Sequence, residues 1–435
     1  MNIISRIIIG CLITVIIYTP ALAQLDKTEK KLVKLVDENN HLAVELLKKV
    51  VNINSGTMNF EGVKKVADVF MPYFSAMGME TEWVDGSGFN RAGHLVAKIE
   101  GGNGPNILMI GHLDTVFEPD SPNQQWIDVD NTTAKGPGIA DMKGGDVIII
   151  QTLNALHKID LLSKMNVMVV MTGDEELSGN PLSESKAVLI KAANWADISL
   201  GFENGDGDPT TAIVSRRSGS GWKLTVTGQS SHSSQVFKPD VGAGAIYEAS
   251  RILFQFYDLL SDEQYLTFNP GVIVGGTTVD YESVTNTGTA YGKSNVVSKD
   301  VIVTGDLRCI SPEQLERTQE TMRKIVIDNL PRTDATIVFG EGYPPFAPTD
   351  GNYKLLTKYS QVSENLGFGK VVATEPDKAG AADISFTAEY IKMGLDGMGL
   401  GGANDHTVNE TGDLSTLPMQ TKRAAVLMYR LMKWQ

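Results

Sequence analysis

Three short apolar runs, each ending in a polar loop and each separated from the next by a helical stretch, constrain this chain most. Asn106-Ile-Leu-Met-Ile-Gly111, Asn166-Val-Met-Val-Val-Met-Thr172 and residues 198–202 are continuously apolar rather than alternating, as strands covered on both faces are. Residues 142–157 and 183–193, between and after the first two, read as helices. Strands joined in this way build an α/β fold: a mostly parallel-stranded sheet with helices on both faces. Ligands in such folds collect beyond the carboxyl ends of the strands. The loops after Ile110, Thr172 and Phe202 are therefore where chemistry is expected.

The flanking regions fill in the rest. Over 25–79, Leu32, Leu35, Val36 and then Leu42, Leu46, Leu47 and Val50 recur at helical spacing. The middle of the chain changes character. Trp222-Lys-Leu-Thr-Val-Thr-Gly228 alternates as a half-exposed strand does, a helix is expected near 242–260, further strands over 272–279 and 301–308, and a helix over 312–330. This reads as a small antiparallel α+β domain over 219–331, inserted between a first part over 24–218 and a second over 332–435. Gly342-Tyr-Pro-Pro-Phe-Ala-Pro348 is a stiff connection. A chain of 435 residues has room for two such domains.

Residues 1–23 read as an export signal. Arg6 precedes an apolar run over 7–17, Pro20 breaks it, and Ala21-Leu22-Ala23 places small residues before a cleavage site. The run is short of the roughly 20 residues that span a bilayer, and no second one follows. No stable membrane anchor is expected after signal removal, and the protein is expected to be exported, to a periplasm or the medium. The formal net charge of −14 argues against a nucleic-acid partner, since phosphate binding needs a basic surface. Cys11 and Cys309 are the only cysteines, which excludes a disulfide-built fold. Cys309 is expected as a buried thiol in a strand-like stretch.

Five loops carry the residues that matter. Gly111-His112-Leu-Asp114-Thr115 puts an imidazole and a carboxylate two residues apart on one side of an extended segment. One of them can bind a metal while the other orients it. In Gly136-Pro-Gly-Ile-Ala-Asp141-Met-Lys-Gly-Gly145, Asp141 stands where a helix begins, as an N-cap or as a carboxylate bridging two metal ions. Thr172-Gly-Asp174-Glu175-Glu176-Leu-Ser-Gly179 sets three acids in a row at a buried strand end, where they repel unless cations compensate. Adjacent carboxylates there can divide the work, one ligating metal and the other moving a proton. Gly201-Phe-Glu203-Asn204 and Gly401-Gly-Ala-Asn-Asp-His406-Thr407 add one acid and one histidine. Carboxylates with imidazoles suit zinc, manganese or cobalt better than magnesium or calcium. Two ions fit the inventory, and such a pair activates a water and polarises a carbonyl, the chemistry of amide hydrolysis.

These five motifs, in this order and spacing, resemble the M20 family of metallopeptidases, and within it the glutamate carboxypeptidase branch, over nearly the whole mature chain. The resemblance implies that His112 and Glu203 bind one zinc, that Glu176 and His406 bind the other, and that Asp141 bridges them. It implies that Asp114 holds the imidazole of His112 and that Glu175 is the general base. It makes the inserted domain a lid and dimerisation domain. His232, in Gly228-Gln-Ser-Ser-His232, would reach the active site of the partner subunit in a homodimer and stabilise the oxyanion. Arg308 and Asn295 match lid positions that contact the carboxylate side of the substrate, with Arg216 and Arg217 as weaker candidates. A planar guanidinium forks well onto a carboxylate.

The expected activity is a dizinc carboxypeptidase acting on short peptides or N-acyl amino acids. An aminoacylase or a di- or tripeptidase of the same family is the alternative within enzymes. An inactive peptide-binding relative is the alternative outside them, and the retained Glu175 argues against it. One departure bears on substrate. Where the branch has a basic residue before its Pro-containing linker, this chain reads Gly340-Glu341-Gly-Tyr343-Pro-Pro-Phe. His41, His94 and His157 are expected to be structural.

Overall fold

The computed structural model describes residues 25–434 apart from 123 and 284. The signal expected over 1–23, and Cys11 with it, lies outside the described residues. Among the described residues, no helix is long and apolar enough to cross a membrane.

The strands of the two main sheets are, in chain order, β1 (Glu80–Asp85), β2 (Gly93–Glu100), β3 (Asn106–His112), β4 (Asn166–Thr172), β5 (Ile198–Gly201), β6 (Gly219–Gly228), β7 (Thr267–Gly276), β8 (Asp300–Arg308), β9 (Thr333–Tyr343) and β10 (Met393–Leu395). The first sheet has the order β1-β2-β4-β3-β5-β10. Its β4, β3, β5 and β10 run parallel, while β1 and β2 form an antiparallel edge. The three apolar runs of the sequence are its three central strands. Their alternate residues face opposite ways. Ile107, Met109, Val167, Val169 and Met171 belong to one core with the helices Lys27–Val51, Gly144–His157 and Thr416–Met432. Leu108, Ile110 and Val170 pack on the other face with Leu189, Ala192 and Ala193 of the helix Ala187–Trp195. Each such buried aliphatic side chain contributes about 1.5–3 kcal/mol.

The helical pattern over 25–79 resolves into two helices. Asp26 and Glu29 cap the first reciprocally, and Asn59 caps the second, Phe60–Ala76, by accepting from the Gly62 N–H. Between them, Asn54-Ser-Gly56 turns to run beside Thr115, which brings Thr57 to the histidine loop.

The inserted unit is an antiparallel sheet of order β7-β8-β6-β9, covered by the helices Ala245–Leu260 and Pro312–Ile327. Trp222, Leu224, Val226, Val301 and Val303 meet Ile252, Phe256 and Met322 there. The buried Cys309 follows β8 directly. The sheet has one strand more than the sequence pattern suggested, and it runs past 331. In β9, Ala335, Ile337 and Phe339 turn inward while Val338 is exposed, a short alternation hidden beside Pro331. Tyr343 pairs with Gly219, so the chain enters and leaves this unit at neighbouring residues.

Candidate dinuclear metal centre

The carboxyl ends of β3, β4 and β5 lie side by side, with His112 in register with Thr172 and Ile110 with Gly201. That register delivers His112, the acidic turn 174–176 and Glu203 to one edge of the sheet. Asp141 comes from the loop before the helix Gly144–His157. Gly138 has a φ of 69° there, a conformation glycine adopts freely. Asp141 does not cap that helix; its backbone is extended and its N–H donates to Glu410. His406 arrives on a turn with a φ of 58°, an uncommon conformation for a residue other than glycine and one that clusters at functional sites.

Two ligand sets share one carboxylate. His112 Nε2 lies 3.1 Å from Asp141 Oδ1 and 3.4 Å from Glu203 Oε1. His406 Nε2 lies 2.9 Å from Asp141 Oδ2 and 3.2 Å from Glu176 Oε2. In each set the ligand atoms lie within 4.8 Å of one another, close enough to converge on a single ion. The two oxygens of Asp141 thus serve different sets. Glu176 Oε1 is buried and has no hydrogen-bond partner, which a metal ligand explains.

The electrostatics point the same way. Burial pushes Glu175 and Glu203 well above the usual carboxylate range; His112 opposes this, and neighbouring acids add to it. Burial raises Glu176 too, against its bond to His406. Burial works against charge on His112, yet Glu203, Asp114 and Asp141 hold its pKa well above the ordinary value. His406 is pushed up to about 11 by its bonds to Asp141 and Glu176. Asp141 is held low by both imidazoles although burial opposes it. Acids crowded this closely need positive charge between them, which a divalent ion at each candidate set would supply.

Asp114 shapes the site from behind. The Nδ1 of His112 lies 3.1 Å from the Asp114 carbonyl and 3.5 Å from its carboxylate, which fixes which ring nitrogen faces the ligand set. The same carboxylate accepts from Thr57 Oγ1 at 2.6 Å and from the N–H groups of Glu175 and Glu176 at 3.1 and 3.2 Å. One buried aspartate therefore positions an imidazole and the backbone of both Glu175 and Glu176. Asp174 turns away from the set. It pairs with the buried Lys186 at 2.9 Å, and Lys186 reaches Asp383 at 3.1 Å. The first acid of the triplet is compensated by the protein's own cation.

The lid candidates are elsewhere. His232 is exposed, with Nδ1 2.9 Å from Ser234 Oγ, and has no contact with the ligand sets of its own chain. Arg308 pairs with Asp306 at 2.9 Å on the surface, and the Asn295 carbonyl accepts from the Ser233 N–H. Arg216 is buried against Asp396 at 2.8 Å, and Asp396 accepts from the Glu203 N–H at 3.3 Å. Through Asp396, Arg216 is linked to the backbone of Glu203. Arg217 donates to Thr267 and to the Asp377 carbonyl. His41 and His157 are exposed. His94 is buried, stacked on Phe89 and bonded to Gly173 N and Ser185 O, so it braces the acidic turn.

Sequence reasoning missed three supports. Glu410 accepts from the N–H groups of Gly138, Ala140 and Asp141 at 2.9–3.1 Å, tying the His406 loop to the Asp141 loop. Its place four residues after His406 was the one available signal. Lys186 and Asp396 had none.

The model of peptidase family M20/M25/M40 matches residues 108–430, and the chain belongs to that family of metallopeptidases. Carboxypeptidase G2 of Pseudomonas sp. (strain RS-16) is 26% identical to it, covering 98% of this chain and 97% of that protein. Among solved structures, aminopeptidase PepT of Bacillus cereus superposes with a TM-score of 0.69 at 17% identity, over 90% of this chain and 99% of that one. The YXEP protein of Bacillus subtilis, described as a dinuclear metal binding peptidase from the M20 family, superposes with a TM-score of 0.62 at 16% identity, over 91% and 99%.

Proposed function

We propose that this chain is an exported dizinc hydrolase that removes a C-terminal amino acid, of the glutamate type, from short peptides or N-acyl amino acids. The observation that carries the reading is Asp141, whose two oxygens face two separate His–carboxylate sets. His112 and Glu203 would hold one ion, Glu176 and His406 the other, with Asp141 common to both. Imidazole and carboxylate donors favour zinc among the fitting metals. The metal pair, when bound, polarises the amide carbonyl and acidifies water. Glu175 lies beside the sets without serving as a ligand in either. Its raised affinity for a proton suits a group that takes one from the attacking water and passes it to the leaving amine. Asp114 keeps the His112 ring and the Glu175 backbone in place while that proton moves.

The apolar leader supports export. A homodimer is supported by the lid helix Ala245–Leu260, which leaves Ile246, Tyr247, Phe254 and Tyr257 exposed. A second copy on that face would bury them and bring His232 to the neighbouring centre; Arg308 and Asn295 would contact the carboxylate side of the substrate. Glu341, exposed at the end of the lid sheet, favours a second reading, a di- or tripeptidase without glutamate preference. The test is amino-acid release from peptides ending in glutamate, aspartate or a neutral residue and from N-acyl amino acids, with metal content measured on the same sample. Release of glutamate alone supports the first reading and release of neutral residues the second. No release from any of them, with metal bound, would refute both.

A further inference from the structure

Tyr343 is the last residue of β9 and pairs with Gly219, the first of β6. It stands where the lid joins the catalytic body, and its phenol reaches into that body. The hydroxyl donates to the Glu175 carbonyl at 2.8 Å, lies 3.2 Å from Asp383 Oδ1 and receives the Ser178 hydroxyl at 3.3 Å. The ring is wedged in place, with Phe386 at 4.9 Å between centroids and the Lys186 ammonium 5.5 Å from its centre.

The bond to the Glu175 carbonyl completes a clamp. Asp114 takes the Glu175 N–H at 3.1 Å, and Tyr343 takes the C=O. With both backbone polar groups of one residue held by hydrogen bonds, its Cα–Cβ direction is fixed too, and the carboxylate is aimed. A displacement of about 1 Å in such a group costs a proton transfer as much as 10²-fold. The clamp also joins two units, since Asp114 lies in the loop that follows β3 of the first sheet and Tyr343 ends β9 of the inserted one.

We propose that Tyr343 is a positioning residue for Glu175, holding its peptide carbonyl so that proton transfer proceeds only while the lid strand is seated. The proposal rests on Glu175 being the base. Its test is Tyr343→Phe, which keeps the ring and removes one oxygen. The expected result is a fall in kcat of about tenfold or more, with KM within about twofold of wild type and metal content unchanged. Ser178→Ala, which leaves the Tyr343–Glu175 bond intact, should stay within about twofold in kcat. In a Glu175→Asp background the Tyr343→Phe penalty should largely vanish, because residues acting as a unit are non-additive. Wild-type kcat in Tyr343→Phe would overturn the proposal alone. So would metal loss, a KM rise of the same size, or full additivity with Glu175→Asp. Undiminished turnover in Glu175→Gln would instead remove the base, and this proposal with it.

Discussion

Replacing Lys186 by Met removes the cation behind the acidic turn while keeping most of its volume. The ammonium sits 2.9 Å from Asp174 and 3.1 Å from Asp383, with no exposed side-chain surface. At an effective dielectric of about 20, each contact is worth about 5–6 kcal/mol before solvation is counted. Bringing the three charges out of water offsets much of that. What remains is the cost of leaving two carboxylates buried without their partner, about 3–5 kcal/mol. The pH dependence carries a sign. Lys186 and His94 hold Asp174 below the usual carboxylate range although burial opposes this. Its contribution is therefore present at neutral pH and is lost as pH falls through the depressed native value. In Lys186→Met the stranded Asp174 carboxyl takes up a proton more readily, so the deficit against wild type should be largest near neutrality and shrink toward pH 4. Urea unfolding at a series of pH values reads both quantities. A deficit under about 1 kcal/mol at neutral pH, or one that grows on acidification, would refute the reasoning.

Other outcomes follow from the same geometry. Glu175→Gln should keep its metal while kcat falls by about 10²–10⁴, checked by turnover and elemental analysis on one sample. His406→Ala should lose metal as well as activity, because it removes one donor of the Glu176 set; retention of full metal content would count against that set. Glu410→Gln leaves three backbone N–H groups facing a weaker acceptor, and should lower metal affinity by about 10–100-fold, the range for outer partners of a metal site, in a competition titration with a chelator. Burial pushes the Cys309 thiol up to about 11. A disulfide reagent at pH 8 should therefore label it only after unfolding; rapid labelling of the native protein would contradict its burial.

The parts of this molecule that were legible in its sequence are those where one physical requirement dominates a short stretch. β3, β4 and β5 had to be apolar throughout because both faces are covered. Their carboxyl ends then had to carry whatever ligands the fold binds, so His112, the acidic turn and Glu203 could be read from their strands. His406, some 200 residues from the nearest of these, required the whole set of motifs for its place. Supports made by tertiary contact were not legible. Lys186 looks like any helical lysine until Asp174 and Asp383 close around it, and nothing near Arg216 in sequence points to its pairing with Asp396. The strand β9 was hidden because its alternation is short and follows Pro331. His232, Arg308 and Asn295 belong to the inserted unit, and their own chain gives them only local partners.

Asp141 presents one oxygen to each of two His–carboxylate sets. The most direct test is metal binding to the purified mature protein and to Asp141→Asn, by isothermal titration with zinc after chelator treatment. Binding of two ions per chain, both weakened in Asp141→Asn, is the predicted result. A wild-type chain that binds at most one ion, or an Asp141→Asn variant that binds two with unchanged affinity, would contradict it.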